Sequence, residues 1–334
     1  MKISLLGSGQ WGTALAQILC DAGNEVLIWG RSSEVVAEIN SNHRNSKSLP
    51  GVDLPQSLKA TTDIKQAFEH AEVIVLAVPA QSLRDNLQQW SGYFKKDIPI
   101  ISTLKGVELA TQLRMTEVIH QVLDISEENL AILTGPNLAR EVVLRQPAGA
   151  VAASVSQALA DKTAQVFNAP YFRVYTSTDV IGCELAGAAK NVIALAVGMA
   201  IGMGFGENTQ SLVITRGLNE LTRLGIARGA QPLTFVGLAG VGDLLATCGS
   251  PLSRNRSFGE ALGRTGSMQK AQAEVSSTVE GVSTARALVD LAHLVGVEAP
   301  IMEAVYEVVS NTITPEQAIK SLMQISTGAE MDHL

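Results

Sequence analysis

The sequence predicts an α/β fold in which a doubly wound, mostly parallel sheet is followed by an all-α C-terminal domain. Up to residue 178, short apolar runs typical of buried strands alternate with segments of helical periodicity. From residue 179 onward, apolar residues recur at helical spacing and no convincing strand remains. We therefore expect two domains, 1–178 and 179–334, as a chain of 334 residues also suggests.

The elements follow from apolar runs and periodicity. Strands are predicted at 3–6, 25–29, 59–62, 73–78, 99–103, 130–134, 148–153 and 172–176. The first helix is predicted between the glycines at 7–12 and Gly23, because apolar residues recur at helical spacing at 14, 15, 18 and 19. Further helices of the first domain are predicted at 64–71, 82–90, 115–123 and 156–167, and the turn-rich stretch 41–58 is predicted as a loop. Helices of the second domain are predicted at 179–203, 209–225, 232–237, 243–248, 258–264, 282–296, 301–310 and 315–326.

A glycine motif, Gly-Ser-Gly-Gln-Trp-Gly at 7–12, lies between the first predicted strand and helix. Gly7 permits a tight turn, Gly9 allows the backbone to approach a pyrophosphate, and Gly12 allows close helix packing. The helix N-terminus adds N–H donors for the phosphates. This context predicts a Rossmann-type site for NADP or NAD, against the alternative of an ordinary glycine turn.

Arg31 follows the second predicted strand, where an acidic residue would bind the ribose of NAD. An arginine there favours the extra phosphate of NADP, and a solvent-facing side chain is the alternative.

The bulk properties exclude several classes. A net charge of −7 argues against a nucleic-acid partner. Three distant cysteines indicate free thiols in a reducing cytoplasm, and the scattered cysteines and histidines predict no metal site.

A strand that begins at residue 3 leaves no room for a signal peptide. The uncharged stretch 191–206 is shorter than the roughly 20 residues of a membrane span, so we predict a buried core helix and no membrane insertion.

Lys190 is the clearest catalytic candidate, because it is the only ionisable side chain between Glu184 and Glu207. Its helical neighbours are small or apolar, and burial among them disfavours the ammonium form, which suits a general acid or base. Burial lowers the pKa of the lysine, whereas a nearby carboxylate, for which Asp243 is the candidate, would raise it again. The alternative is a lysine whose stem lies on the helix while its head reaches water.

Polar residues after two predicted strands are candidates for substrate contacts. Lys105 follows the strand 99–103, and Gly135-Pro136-Asn137 follows the strand 130–134, so both lie where open α/β sheets bind ligands. For each of these two segments taken alone, an ordinary loop that contacts no ligand is an equally good interpretation.

The second domain contributes further polar groups. Asp243 ends a glycine-rich turn and is either functional or only a helix N-cap. The sequence Ser-Arg-Asn-Arg at 253–256 suits a phosphate, because a guanidinium can bind it through two hydrogen bonds; a solvated basic loop is the alternative. Glu280 either binds a ribose hydroxyl or faces water.

In combination, these motifs resemble the bacterial NAD(P)-dependent glycerol-3-phosphate dehydrogenases over almost the whole chain. The resemblance depends on blocks at 7–12, 103–106, 135–137, 190–192, 240–243, 253–256 and 279–281. It implies that Lys190 is the proton donor or acceptor. It also implies that the substrate is held by Lys105, Gly135, Asn137, Lys190, Asp243, Ser253, Arg254 and Asn255, although better-known members carry Ser or Thr in place of Asn137. Together with the glycine motif, it implies that the cofactor is held by Gly7, Gly9, Gln10, Trp11, Gly12, Arg31, Lys105, Ala139, Arg254 and Glu280.

The resemblance also implies the reaction: hydride transfer from NADPH or NADH to dihydroxyacetone phosphate, giving sn-glycerol 3-phosphate for phospholipid synthesis. Two alternatives remain at this point, a related 3-hydroxyacid dehydrogenase and a non-catalytic dinucleotide sensor. The Gly- and Ala-rich helices of the second half permit close packing between subunits as well as within one, so we expect a homodimer. The free cysteines predict that it is cytoplasmic.

Overall fold

The computed structural model describes residues 1–275 and 279–325. The chain divides into two compact units, one formed by 1–105 and 115–180 and the other by 106–114 and the chain from 181 onward. The first unit contains a mostly parallel sheet with helices, and the second is helical. The predicted fold class is confirmed.

The first unit is built on one eight-stranded sheet. Its strands are β1 Lys2–Leu6, β2 Glu25–Trp29, β3 Lys59–Thr61, β4 Val73–Leu76, β5 Ile100–Ser102, β6 Leu130–Thr134, β7 Ala148–Ala153 and β8 Phe172–Ser177. The strand order is β3-β2-β1-β4-β5-β6-β7-β8, and every neighbouring pair is parallel except β6 and β7. The order reverses between β1 and β4, so the loops after these strands flank the point where such sheets bind ligands.

The helices of the first unit are α1 Gln10–Asp21, α2 Ser33–Asn42, α3 Ile64–His70, α4 Leu83–Trp90, α5 Met115–Leu123, α6 Ala139–Val143 and α7 Gln157–Phe167. Helix α2 was not among the predicted helices. The Ser32 side chain accepts a hydrogen bond from Val35 N, and Val35 and Ile39 bury one face of the helix. The first two residues of the predicted loop 41–58 are therefore the last two residues of α2.

The helices of the second unit are α8 Val180–Gly202, α9 Glu207–Ala227, α10 Asp243–Gly249, α11 Arg254–Thr265, α12 Met268–Glu274, α13 Glu280–Leu294, α14 Pro300–Val309 and α15 Pro315–Met323. The predicted helix 232–237 is wrong in type, because Pro232–Val236 forms a 3₁₀ helix and Leu238–Gly242 a π-helical turn. Helix α11 begins four residues before its predicted start, and α12 was not predicted. Residue 326, the predicted end of the last helix, lies outside the described residues.

Helix α8 has the length and composition of a membrane span, but 83% of its most apolar window is buried inside the protein. That is the behaviour of a core helix, as predicted for the uncharged stretch 191–206, although the helix ends at Gly202, before the end of that stretch. Leu185, Val192 and Leu195 pack into the main core of the second unit.

Helices α8 and α11 cross with their backbones in direct contact. A Cβ atom at Gly198 or Gly202 would lie 2.0–2.1 Å from a carbonyl oxygen of α11, and one at Gly259 or Gly263 would lie 2.2–2.3 Å from a carbonyl oxygen of α8. Only glycine fits at these positions. The crossing fixes the helix that carries Lys190 relative to the start of α11.

The segment 106–114 belongs to the second unit, although it precedes most of the chain of that unit. Val107 is fully buried in the core of the second unit, and Arg114 Nη1 donates to Glu184 Oε2 over 2.6 Å in a buried ion pair. These contacts are why the units do not divide at a single point near residue 178. The assignment of 1–178 to dinucleotide binding and of 179–334 to substrate binding stays a prediction.

Candidate active site

The glycine turn between β1 and α1 contains two glycines that the chain itself requires. Gly7 has φ +128°, and a Cβ there would lie 2.4 Å from Ala77 O. A Cβ at Gly12 would lie 2.0 Å from Gly7 O. At Gly9, by contrast, no heavy atom of the described chain beyond its adjoining residues lies within 4 Å of a Cβ position. Packing within the protein therefore does not require a glycine at position 9, and the turn leaves space there in which a pyrophosphate would fit.

Helix α1 begins directly after this turn, with Gly9 as its N-cap and Gln10 and Trp11 in its first turn. No acidic residue is present in the first turn of Gln10–Asp21, so no carboxylate offsets the positive end of the helix dipole there. Trp11 Nε1 is buried and has no hydrogen-bond partner among the described residues. Arg31, beyond the end of β2, is exposed. This surface suits the phosphates of a dinucleotide.

The carboxyl ends of β5 and β6 place three predicted residues together. Lys105 Nζ donates to Gly135 O over 2.9 Å, and Gly135 has φ +138°, a conformation that favours glycine. Asn137 Nδ2 donates to Gly149 O over 3.0 Å, and its Oδ1 is buried with no partner among the described residues. Ala139 starts α6 immediately afterwards. The loops after β5 and β6 thus hold the Lys105 ammonium group and the Asn137 Oδ1 atom close to the ends of parallel strands.

Lys190 lies in a buried polar cluster in the second unit. Its Nζ is 2.8 Å from Asp243 Oδ1 and donates to Thr247 Oγ1 over 2.7 Å. The Lys190 and Asp243 side chains are 10% and 2% exposed. Asp243 is the first residue of α10, Gly242 is the N-cap, and the Asp243 side chain faces Lys190 instead of capping the helix. Asp243 and Thr247 use two ammonium hydrogens, and the described residues provide no acceptor for the third.

Cys248 is buried beside this cluster. Burial raises the pKa of its thiol to about 12, with Lys190 and Arg256 lowering that pKa and Asp243 raising it. The thiol is therefore neutral at physiological pH. It neither neutralises Lys190 nor supplies a nucleophile.

The sequence 253–256 forms the first turn of a helix and not a basic loop. Ser253 is buried and is the N-cap of α11, where its Oγ accepts from Arg256 N over 3.3 Å. Arg254 is exposed. A helix N-terminus with an adjacent guanidinium is a suitable site for an anion.

Asn255 connects three elements of the second unit. Its Oδ1 accepts from Gly281 N over 2.9 Å, and its Nδ2 donates to Asn191 Oδ1 over 2.9 Å. Glu280, the first residue of α13, is adjacent to Gly281. The structure therefore places Asn255 and Glu280 near the residue that follows Lys190.

Family models match both parts of the chain. The model described as the N-terminus of NAD-dependent glycerol-3-phosphate dehydrogenase matches residues 2–160, and the model of its C-terminus matches residues 179–320. The chain belongs to the NAD-dependent glycerol-3-phosphate dehydrogenase family. The predicted resemblance and the predicted NAD or NADP cofactor are confirmed.

Individual members of the glycerol-3-phosphate dehydrogenase family match over nearly their full length. A protein from Streptomyces avermitilis named glycerol-3-phosphate dehydrogenase [NAD(P)+] is 48% identical, covering 99% of this chain and 98% of its own. One from Thermobifida fusca with the same name is 49% identical, covering 98% of each chain. The crystal structure of glycerol-3-phosphate dehydrogenase from Coxiella burnetii superposes with a TM-score of 0.91 at 32% identity, covering 97% of this chain and 98% of that one.

Sequence reasoning missed one member of the lysine cluster of this dehydrogenase. Thr247 lies four residues after Asp243 on α10, so both side chains occupy the same helix face. That spacing was the available signal. Within residues 1–275 and 279–325, no group of three or more His, Cys, Asp or Glu side chains is placed to hold a metal ion. His333 lies outside the described residues.

Proposed function

We propose that this chain reduces dihydroxyacetone phosphate to sn-glycerol 3-phosphate with a hydride from NADPH or NADH. The buried Lys190–Asp243–Thr247 cluster carries the proposal, because it holds an ammonium group with a hydrogen to spare for a substrate oxygen. A sensor that only binds a dinucleotide has no use for such a group. The full-length similarity to glycerol-3-phosphate dehydrogenases supports the choice of substrate.

Each predicted residue has a role in this proposal. The cofactor is held by the glycine turn with Gln10, Trp11 and Arg31, and by Lys105, Ala139, Arg254 and Glu280. The substrate is held by Lys105, Gly135, Asn137, Lys190, Asp243, Ser253, Arg254 and Asn255. The Asn137 Oδ1 atom without a partner and the N-terminus of α11 support the polar contacts.

The nicotinamide, when bound, supplies the hydride for the carbonyl carbon. Lys190 donates its remaining ammonium hydrogen to the carbonyl oxygen as negative charge grows there, and transfers that proton to form the alcohol. Asp243 and Thr247 orient the ammonium group before transfer. Arg254 and the α11 N-terminus hold the phosphate, so that its binding energy positions the carbonyl.

An absorbance assay at 340 nm tests the proposal directly. NADPH and NADH are each incubated with dihydroxyacetone phosphate, with acetoacetate, or with no acceptor. We expect oxidation only with dihydroxyacetone phosphate, and production of sn-glycerol 3-phosphate in equal amount. Oxidation with acetoacetate instead would indicate a 3-hydroxyacid dehydrogenase, and cofactor binding without oxidation would indicate a sensor.

Arg254→Lys should raise the KM for dihydroxyacetone phosphate, because lysine keeps the charge but loses the planar fork. Arg254→Ala should raise it further, by about 10- to 150-fold, the range of a lost charge-assisted hydrogen bond. Steady-state kinetics at saturating NADPH measure both. Arg264→Lys, at the opposite end of the same helix, is the matched control and should leave the KM unchanged. Unaltered KM values in both Arg254 variants would remove Arg254 from the phosphate site.

Arg31→Ala should lower the preference for NADPH over NADH, because only NADPH carries the phosphate that a guanidinium would bind. We expect a change of about 10-fold or more in the ratio of kcat/KM values, and little change with NADH alone. Arg44→Ala, an exposed arginine of the same unit, is the control. An unchanged ratio would mean that Arg31 does not select the cofactor.

The setting of the reaction completes the proposal. The product feeds glycerophospholipid synthesis, the enzyme is cytoplasmic, and two copies form a homodimer through Gly- and Ala-rich helices of the second half. Analytical ultracentrifugation tests the homodimer. A sedimenting species with the mass of a monomer at micromolar concentration would contradict it.

A further inference from the structure

Asn45 lies in the predicted loop after α2 and is fully buried, with 0% exposure. Its Nδ2 donates to Ser8 O and to Thr13 Oγ1, each over 2.9 Å. Its Oδ1 accepts from Ser48 N over 3.3 Å. A buried amide with every contact made inside one unit is a fixed part of the structure. Two of these contacts connect the loop to the glycine turn and to α1.

The contact with Ser8 O controls the orientation of the peptide unit between Ser8 and Gly9. A trans peptide is planar, so its C=O and its N–H point in opposite directions. Ser8 O accepts the shorter of its two side-chain hydrogen bonds from Asn45 Nδ2, over 2.9 Å, and the longer from Thr13 Oγ1, over 3.5 Å. Gly9 N–H must therefore point away from Asn45. Gly9 N–H belongs to the turn at which a pyrophosphate would bind.

The surroundings of Ser8 and Thr13 restrict the same peptide from other sides. Thr13 N donates to Gly9 O over 2.9 Å, which fixes the next peptide unit. A Cβ at Gly30 would lie 2.2 Å from Ser8 Oγ, so the Ser8 side chain packs directly on the end of β2. Asn45 adds hydrogen bonds to Ser8 O and Thr13 Oγ1 from the loop after α2, which lies outside the turn, β2 and α1.

We infer that Asn45 is a positioning residue for the cofactor: it sets the Ser8–Gly9 peptide so that Gly9 N–H is aligned before the dinucleotide binds. The inference depends on the proposed cofactor site at the glycine turn. It assigns Asn45 no contact with the cofactor. Its loss should therefore weaken cofactor binding and leave the chemical step unchanged once the cofactor is bound.

The test is an NADPH fluorescence titration of the full chain carrying Asn45→Leu, which has a similar size and no hydrogen-bonding group. We expect the Kd to rise roughly 5- to 30-fold, the effect of one or two lost hydrogen bonds. We expect kcat at saturating NADPH and the KM for dihydroxyacetone phosphate to stay within twofold of wild type. If Asn45→Leu does not fold, Asn45→Ala, which removes the same amide with a smaller side chain, carries the same expectation.

Asn40→Leu is the matched control. Asn40 also makes two hydrogen bonds of 2.9 Å, to Ala60 O and from Ala60 N, but these tie α2 to β3 and do not reach the turn. We expect this variant to lose thermal stability and to bind NADPH as wild type does. Equal weakening in the Asn40 and Asn45 variants would overturn the positioning role, because general loosening of the unit would then be the cause.

Gly9→Val in the same titration separates this inference from the site on which it depends. Weak binding by Gly9→Val with normal binding by Asn45→Leu would overturn the role of Asn45 alone. Normal binding by Gly9→Val would overturn the cofactor site at the glycine turn and the inference with it.

Discussion

Replacing Lys190 with Ala is expected to lower kcat for dihydroxyacetone phosphate reduction by roughly 10² to 10⁴-fold, the usual contribution of a positioned general acid. The carbonyl oxygen would lose its proton donor, while the glycine turn of the first unit would remain intact. NADPH binding should therefore persist. Steady-state kinetics measure the loss of turnover, and a fluorescence titration measures the Kd for NADPH.

Because Lys190 forms a buried ion pair with Asp243, a second variant is needed to separate lost catalysis from lost stability. In Lys190→Ala the Asp243 carboxylate, only 2% exposed, is left without its ammonium partner. An unpaired buried charge costs about 3–5 kcal/mol of folding stability. The single variant can therefore lose activity through partial unfolding alone, which would imitate a catalytic effect.

The double variant Lys190→Met with Asp243→Asn removes both charges together and separates the two effects. We expect it to melt at a higher temperature than Lys190→Ala, because no unpaired charge remains, and to stay as inactive. Near-wild-type turnover in the double variant would contradict proton donation by Lys190. Loss of NADPH binding together with turnover would instead make Lys190 a structural residue.

Two local signals in the sequence were informative. The glycine spacing at 7–12, with a strand before it and a helix after it, predicts the turn that the structure contains. The isolation of Lys190 in an apolar helix predicts its burial. Each of these patterns lies within one continuous stretch of the chain, so it can be recognised without knowledge of tertiary contacts.

Contacts between distant segments were not predictable in the same way. Asn45 reaches Ser8 across 37 positions, and nothing in its polar, turn-rich neighbours distinguishes it from a solvated loop residue. The segment 106–114 joins the second unit through Val107 and the Arg114–Glu184 ion pair, which spans 70 positions. Such pairings are decided by tertiary packing and not by propensity.

Replacing Gly9 with Val is expected to raise the Kd for NADPH by about 10- to 150-fold, the range of a lost charge-assisted contact to phosphate. Gly9 has φ −73°, which valine adopts without strain, and no described atom beyond the adjoining residues lies within 4 Å of its Cβ position. The variant should therefore fold normally, and its side chain should occupy only the space into which the pyrophosphate fits. Gly9→Ala should give a smaller effect in the same direction.

Gly12→Ala is the contrasting variant in this series. Its Cβ would lie 2.0 Å from Gly7 O, so the expected loss is in thermal stability as well as in binding. Comparing the melting temperature and the NADPH titration of both variants distinguishes a glycine required by the protein from one required by its ligand. If Gly9→Val melts like wild type and binds NADPH with an unchanged Kd, the cofactor phosphates do not lie against this turn.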